Sequence, residues 1–169
     1  FYYVVSWTPK LLVDAGLTTA QGISAGIYLQ LGGIVGALSL GLLTARYPVA
    51  RLTPLYLLMS VVSIVVFGIA NLALPSLMLC AAVMGFFLIG AMIGLYTIAP
   101  SLYPVSHRLT GMGWAIGVGR LGAIVSPLIG GILLTWGFSA GQSMFVFALP
   151  LLLAALAVFN IDCEAPSNP

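Results

Sequence analysis

Charged residues are scarce in this chain. It has five Lys or Arg and three Asp or Glu among 169 residues, which is 5%, whereas an ordinary soluble domain has roughly 25%. Because so few charges cannot cover the surface of a soluble fold, a water-soluble enzyme is excluded. Five basic residues also cannot form a phosphate-binding patch, which excludes a nucleic-acid-binding protein. Since 62% of the residues are hydrophobic, disorder is excluded as well, and an integral membrane protein remains.

Residues that bind metals or catalyse reactions are equally scarce. The chain has one histidine, His107, and two cysteines, of which Cys80 lies in an apolar run and Cys163 in a polar tail. There is no CxxC or HExxH pattern, and the two cysteines are not expected to meet. A membrane-embedded serine protease would need a buried histidine, and a prenyl-transferring enzyme would need clustered aspartates for Mg²⁺. We therefore expect no catalytic residues, no metal site, no cofactor and no enzymatic activity.

Long apolar runs dominate the rest of the sequence. A membrane-spanning helix needs about 20 apolar residues, whereas strands of a membrane barrel alternate over about ten. The runs here do not alternate, so the sequence predicts an all-α membrane protein. A partial helix is predicted at 1–12, interrupted by Pro9 and lacking its first half, because the chain opens inside an apolar run. Five full spans are predicted at 18–43, 54–71, 76–100, 111–135 and 141–161.

The predicted boundaries follow from caps and prolines. Thr18 or Thr19 is a plausible N-cap for the first full span, and Pro54 suits the first turn of the second. Polar loops are predicted at 44–53 and 101–110, with a short turn at 71–75.

The basic residues predict the orientation of the chain in a membrane. Arg46, Arg51 and Arg108 lie in alternate loops and therefore on one side, opposite Lys10 and Asp14. The positive-inside rule places the arginine loops and the C-terminus in the cytoplasm. We expect a multi-pass protein of the inner (plasma) membrane.

The predicted spans are of two kinds. Those at 54–71 and 141–161 are rich in Leu, Val, Ala and Phe, which is typical of lipid-facing support helices. The spans at 18–43, 76–100 and 111–135 are rich in glycine. Glycines at four-residue spacing let helices approach closely in lipid, either in static packing or in the moving helices of an alternating-access carrier. Three pairs have this spacing: Gly22/Gly26, Gly90/Gly94 and Gly113/Gly117.

Arg120 is a charge inside a predicted span. It lies nine residues after Gly111, or about 13 Å along a helix, within a hydrocarbon core about 30 Å thick. A charge there costs about 2.5–3.5 kcal/mol, and residues 15–161 contain no Asp or Glu to pair with it. A guanidinium suits bidentate binding of a carboxylate, so Arg120 indicates an anionic substrate. The alternatives are an arginine that extends to the interface or one paired structurally.

Several segments together resemble the major facilitator superfamily. They are Tyr103-Pro104, Arg108 to Trp114 with Gly111 and Gly113, Gly119-Arg120-Leu121-Gly122, Pro127 and Gly130-Gly131. Within the superfamily the pattern is similar to the aromatic acid:H⁺ symporters, and Trp7 to Leu12 followed by Gly16 strengthens this match.

The resemblance implies a fold and an organisation. Residues 1–161 would form the C-terminal six-helix half of a twelve-helix carrier, from a partial helix seven to helix twelve, and 162–169 a cytoplasmic tail. Helices seven, eight, ten and eleven would line a midplane cavity, while helices nine and twelve would face lipid. The N-terminal half, with its acidic first-helix motif, would be missing from this chain.

The resemblance also implies conformational residues. Gly41, Leu43 and Arg46 match the superfamily's cytoplasmic gating motif, whereas Ala45 replaces its Asp and Pro48 its Gly. Arg46 is then expected at a neighbouring helix end, although Arg46 and Arg51 serve equally well as positive-inside anchors. The predicted conformational set is Gly41, Arg46, Arg51, Arg108, Gly117, Gly122 and Pro127.

The predicted substrate-binding residues are Arg120, Gln30, Tyr28, Tyr96, Trp7 and Tyr3. Their aromatic rings could stack on a substrate ring, although the aromatics at residues 2–7 also suit an interfacial belt. The sequence thus predicts a secondary active transporter in the lipid bilayer, with proton-coupled uptake of a small aromatic or other organic acid. The alternatives are a superfamily porter for a sugar or drug, and a channel or scaffold.

Overall fold

The computed structural model describes residues 1–14, 16–69 and 74–160, apart from the side chain of residue 140. The predicted turn at 71–75, except for residues 74 and 75, and the predicted tail at 162–169 lie outside this range. The helices are α1 (Tyr2–Asp14), α2 (Thr19–Thr44), α3 (Val49–Ile69), α4 (Leu74–Ile98), α5 (Arg108–Thr135) and α6 (Ala140–Phe159). Two short 3₁₀ turns, Ala99–Leu102 and Val105–His107, connect α4 to α5.

The segments that contain α2 to α6 are each long and apolar enough to cross a membrane. The five predicted spans and the all-α membrane class are therefore confirmed. The first of these helices begins as expected, since Thr18 is its N-cap. The Thr18 hydroxyl accepts a hydrogen bond from the Gln21 amide at 3.3 Å, and the Gln21 side chain accepts one from the Thr18 amide at 3.0 Å. This reciprocal pair satisfies two backbone donors at the helix end.

The predicted start of α3 at Pro54 is wrong. The helix begins at Val49, and Pro54 lies inside it. The carbonyl of Pro48 accepts hydrogen bonds from the amides of Arg51 (3.0 Å) and Leu52 (3.4 Å) and so builds the first turn. The helix starts five residues earlier because Pro48, not Pro54, stands at its entry, and the interior Pro54 leaves the carbonyl of Ala50 without its usual amide donor. Arg51 is therefore a helical residue and not a loop residue.

The predicted interruption at Pro9 and the predicted loop position of Arg108 are also wrong. Pro9 is the eighth of the thirteen residues of a continuous α1, where it removes only the one hydrogen bond that an amide at this position would donate to the Val5 carbonyl. Arg108 is the first residue of α5, whereas the sequence placed it in a loop at 101–110. The 3₁₀ turns shorten that loop, and the amide of His107 bonds the carbonyl of Pro104 at 3.0 Å.

Helices α2 and α4 pack backbone against backbone. A Cβ atom at Gly32 would overlap the carbonyl oxygen of Ala82, and one at Gly36 would overlap that of Phe86. From the other side, a Cβ atom at Gly85 would overlap the carbonyl of Leu29. Small residues at these positions are what permits the contact.

Two of the three predicted glycine pairs also lie against neighbours. A Cβ at Gly22 would come within 2.6 Å of the Pro9 carbonyl oxygen in α1, and one at Gly90 within 2.6 Å of the Tyr56 ring in α3. The third pair, Gly113/Gly117, differs, since a Cβ at either position meets no atom of the described chain within 4 Å. Close packing was therefore predicted correctly for α2 and α4 and not for the middle of α5.

Helix α3 packs between α4 and α6. Its buried side includes Ser60, whose hydroxyl bonds the Tyr56 carbonyl at 2.7 Å, and Ser63 bonds the Ser60 carbonyl at 2.9 Å. Both serine hydroxyls thus donate their hydrogen bonds to carbonyls of their own helix, which is the usual arrangement for a serine inside a helix. Met59 and Val62 are exposed, so one side of α3 is apolar and without a neighbour in the described chain.

Candidate functional site

A cavity of about 450 Å³ lies between α1, α4, α5 and α6. Its walls are mostly apolar and aromatic, and α5 contributes the one charged side chain in the lining. The lining includes Tyr3, Tyr96, Arg120, Gly122, Ser126 and Phe147.

One wall of the cavity is an aromatic stack. The Tyr3 ring lies parallel to Phe147 of α6, with ring centroids 3.8 Å apart and an interplanar angle of 13°. Tyr3 also stacks on Trp7, with ring centroids 6.2 Å apart. Tyr3 is only 1% exposed, so this wall is anchored in the core. Gly130 lets α5 approach the wall, because a Cβ there would come within 2.5 Å of the Tyr3 ring.

Another wall of the cavity is one face of α5. Its lining residues Ala115, Gly119, Gly122, Ser126 and Ile129 recur every three or four positions, which places them on one side of a helix. A Cβ at Gly119 or Gly122 would meet nothing within 4 Å in the described chain. These glycines therefore leave space for the cavity.

Arg120 lies at the edge of this face and also lines the cavity. No acidic residue is among the lining residues, and the ion pair found in the described chain joins Lys10 and Asp14 at 3.6 Å. Within residues 1–14, 16–69 and 74–160, Arg120 thus has no carboxylate partner. The cavity therefore combines one cation with apolar and aromatic walls, which is an environment that suits an anion with an aromatic body.

The structure brings together half of the predicted substrate-binding residues. Tyr3, Tyr96 and Arg120 line the same cavity. Trp7 lies behind Tyr3, with the Lys10 ammonium 5.0 Å from its ring centroid. It supports the aromatic wall from outside the cavity lining.

The other two predicted binding residues lie elsewhere. Tyr28 lines a separate depression of about 500 Å³ between α2 and α4, together with Met78 and Ala82. Gln30 is exposed on α2. Neither residue is in the lining of the Arg120 cavity.

The predicted conformational residues are scattered. Gly41, Arg46, Arg51 and Arg108 are exposed near helix ends, and the Arg46 amide bonds the Leu43 carbonyl at 3.0 Å. Their gating roles stay predictions.

The other predicted conformational residues lie along α5. Gly117 lines a groove of about 490 Å³ on another face of the helix, with Gly113 and Trp114. Pro127 lies inside the helix, next to Ser126 of the cavity wall. Gly117, Gly122 and Pro127 thus share one helix but not one surface.

Two cavity residues were missed at the sequence level. Phe147 belongs to a span predicted to face lipid, yet it lines the cavity because Tyr3 stacks on it. Ser126 is a single hydroxyl in a glycine-rich span, and nothing in the sequence distinguishes it from the serines that bond to their own helix.

The chain is similar to curated bacterial transporters over nearly its whole length. It is 34% identical over 157 residues to a gallate transporter of Pseudomonas putida, which covers 93% of this chain and 35% of that protein. It is 32% identical over 170 residues to a benzoate transport protein of Acinetobacter baylyi, and this match covers 99% of this chain and 36% of that protein. A 3-(3-hydroxy-phenyl)propionate transporter of Escherichia coli is 34% identical over 158 residues, covering 94% and 39%.

No family model matches the chain. The chain spans a little over a third of the length of these curated relatives.

Proposed function

The chain belongs to the aromatic-acid transporters of the major facilitator superfamily, and from this we propose that it is part of a carrier for a small aromatic acid. Residues 1–161 would be its C-terminal transmembrane half-domain and 162–169 a cytoplasmic tail. The relatives are named as transporters and not as enzymes, which agrees with the expectation drawn from composition. An N-terminal half would complete the binding site.

The observation that carries this proposal is Arg120 in an aromatic cavity. A substrate carboxylate can form two parallel hydrogen bonds with a guanidinium, and the arginine has no competing carboxylate in the described chain. The ring of the acid would occupy the apolar part of the cavity, near Tyr96 and the Tyr3–Phe147 stack. Binding then replaces the hydration of one anion by a charge-assisted contact with Arg120, whose side chain is exposed in the described chain.

The packing of the helices suits a carrier that rocks around such a site. Helices α2 and α4 are held together by backbone contacts at Gly32 and Gly36, so they would move as one body. Helix α5 is separated from α4 by the cavity and is fastened mainly to α1 through Gly130. Relative movement of α5 would open or close the cavity, as alternating access requires.

Proton coupling is part of the proposal and requires a proton-binding group elsewhere in the carrier. Residues 15–161 contain no Asp or Glu. A carboxylate that carries the proton would therefore come from outside these spans, which fits an acidic site in the N-terminal half. We further propose an inner-membrane location with the arginine-bearing segments at Arg46, Arg51 and Arg108 and the C-terminus in the cytoplasm.

A sugar or drug porter is less well supported. The relatives reported above are named for gallate, benzoate and a phenylpropionate. A neutral sugar would also leave the Arg120 charge uncompensated in the cavity, at a cost that an anion avoids.

Arg120→Ala tests the proposal in the intact carrier. We expect it to weaken binding of benzoate by roughly ten- to a hundredfold, because a hydrogen bond to a charged group contributes about 1.5–3 kcal/mol. Arg120→Lys should recover little, since an ammonium cannot reproduce the planar fork. Binding is measured at equilibrium for benzoate and for its neutral amide.

The control is Lys10→Ala, which removes a cation outside the cavity and should leave benzoate binding unchanged. Arg120→Ala should weaken binding of the acid strongly and binding of the amide only a little. Equal weakening of acid and amide, or no change in either, would mean that Arg120 is structural and would remove the main support for an anionic substrate.

A further inference from the structure

The Ser126 hydroxyl is a polar atom without a partner in the cavity wall. Its oxygen is buried, and it has no hydrogen-bond partner in the described chain. Other hydroxyls in these helices bond a carbonyl of their own preceding turn, for example Thr8 to Val4 at 2.6 Å and Thr97 to Ile93 at 2.9 Å. Ser126 lacks this usual arrangement, although it lines the cavity.

An unpartnered hydroxyl in this position is unfavourable unless something binds it. Burying a polar group without a hydrogen bond costs free energy, and α5 is already short of one backbone bond here. Pro127 has no amide hydrogen to donate to the carbonyl of Ala123. Around Ser126, α5 therefore lacks one backbone hydrogen bond in addition to a bond of the serine hydroxyl.

The hydroxyls of Tyr3 and Ser143 are also buried without a well-aligned hydrogen bond, but these two side chains lie close enough to bond one another. They differ from Ser126 in access, because Tyr3 is 1% and Ser143 0% exposed, whereas Ser126 is only half-buried. Because the Ser126 oxygen itself is buried, a bound molecule would meet it only after rotation about the Cα–Cβ bond to another staggered position. Of the three side chains, Ser126 is the one that is not almost fully buried.

We propose that Ser126 is a specificity-determining residue that binds a hydroxyl group on the ring of the substrate. The inference rests on the proposed function and assigns the recognition of a ring hydroxyl to one residue. Arg120 would bind the carboxylate and Ser126 the phenolic hydroxyl at the other end of the molecule. A serine hydroxyl both donates and accepts, so it suits a neutral phenol, and it carries no charge for a second carboxylate.

The spacing of the two residues fits such a molecule. Arg120 and Ser126 are six positions apart on α5, which corresponds to about 9 Å of helix rise. The long arginine side chain and the short serine side chain both border the same cavity. A benzene ring with substituents at opposite positions is long enough to lie between them.

Ser126→Ala in the intact carrier tests the inference, with benzoate and 4-hydroxybenzoate as probes. We expect binding of 4-hydroxybenzoate to weaken about two- to tenfold, as loss of one neutral hydrogen bond predicts, while binding of benzoate stays the same. Unchanged benzoate binding also shows that the variant is folded. The matched control is Ser63→Ala, which removes a helix hydroxyl that bonds the Ser60 carbonyl and should leave the affinity ratio unchanged.

The remaining outcomes separate this inference from the proposed function. If Ser126→Ala changes both affinities by the same factor, or neither, Ser126 does not bind the ring and the inference is overturned while aromatic-acid binding stands. If the unmodified carrier binds neither acid, the proposed function fails and the inference falls with it.

Discussion

Gly32 is the position where one added methyl group should test the α2–α4 contact most directly. A Cβ atom there would overlap the backbone carbonyl of Ala82, and a backbone atom cannot rotate out of the way as a side chain can. Alanine would therefore force α2 and α4 apart. The separation would loosen the core around Leu29 and Met84, which are 1% and 0% exposed.

The expected magnitude follows from two opposing effects. Replacing a glycine inside a helix with alanine ordinarily stabilises by roughly 0.5–1 kcal/mol. Overpacking a tight contact costs about 1–3 kcal/mol, and the cost here should fall at the upper end because the overlap is with backbone. We expect Gly32→Ala to lower the free energy of unfolding by about 1–2 kcal/mol.

Gly41→Ala is the matched control on the same helix. A Cβ at Gly41 meets nothing within 4 Å in the described chain, so only the favourable helix effect of up to about 1 kcal/mol remains. Both variants would be compared with the unmodified protein by denaturant titration in detergent micelles. If Gly32→Ala proves as stable as Gly41→Ala, α2 and α4 do not touch at this point and the packing described above is incorrect.

Two further predictions concern a hydrogen bond and the faces of α5. Tyr56→Phe removes the 2.9 Å bond between the hydroxyls of Tyr56 and Ser39 and should cost about 0.5–1.5 kcal/mol in the same titration; an unchanged midpoint would contradict it. Gly122→Leu should fill the cavity and abolish benzoate binding, while Gly117→Leu, on another face, should spare binding and reduce transport only. Equal effects of both leucines on binding would show that α5 does not present Gly122 alone to the cavity.

The helices were predictable from the sequence because the runs are long and apolar, and their exact ends were not. The Thr18 cap could be identified from its own chemistry, since a capping side chain bonds its own helix. The start of α3 could not, because Pro48 and Pro54 are both compatible with a helix entry and only the hydrogen bonds of the Pro48 carbonyl decide between them.

The candidate site was predictable only in part. Arg120 stands out because a charge in an apolar run has few physical explanations, and the structure places it in a cavity. The faces of the helices were not predictable, since spans that are apolar all round give no sign of which side faces inward. The sequence therefore did not show that Tyr96 lines the cavity whereas Tyr28, an equally plausible aromatic residue, lies in another depression.

Glycine has two opposite uses in these helices, and the difference bears on where function resides. In α2 and α4 the absence of a side chain brings two backbones into contact, as at Gly32 and Gly85, and mutation there should act on stability. In α5 the absence of side chains at Gly119 and Gly122 leaves room in the cavity wall beside Arg120, and mutation there should act on binding. Composition alone cannot separate the two uses, because both need only a small residue on a helix, and the neighbour that decides between them comes from elsewhere in the chain.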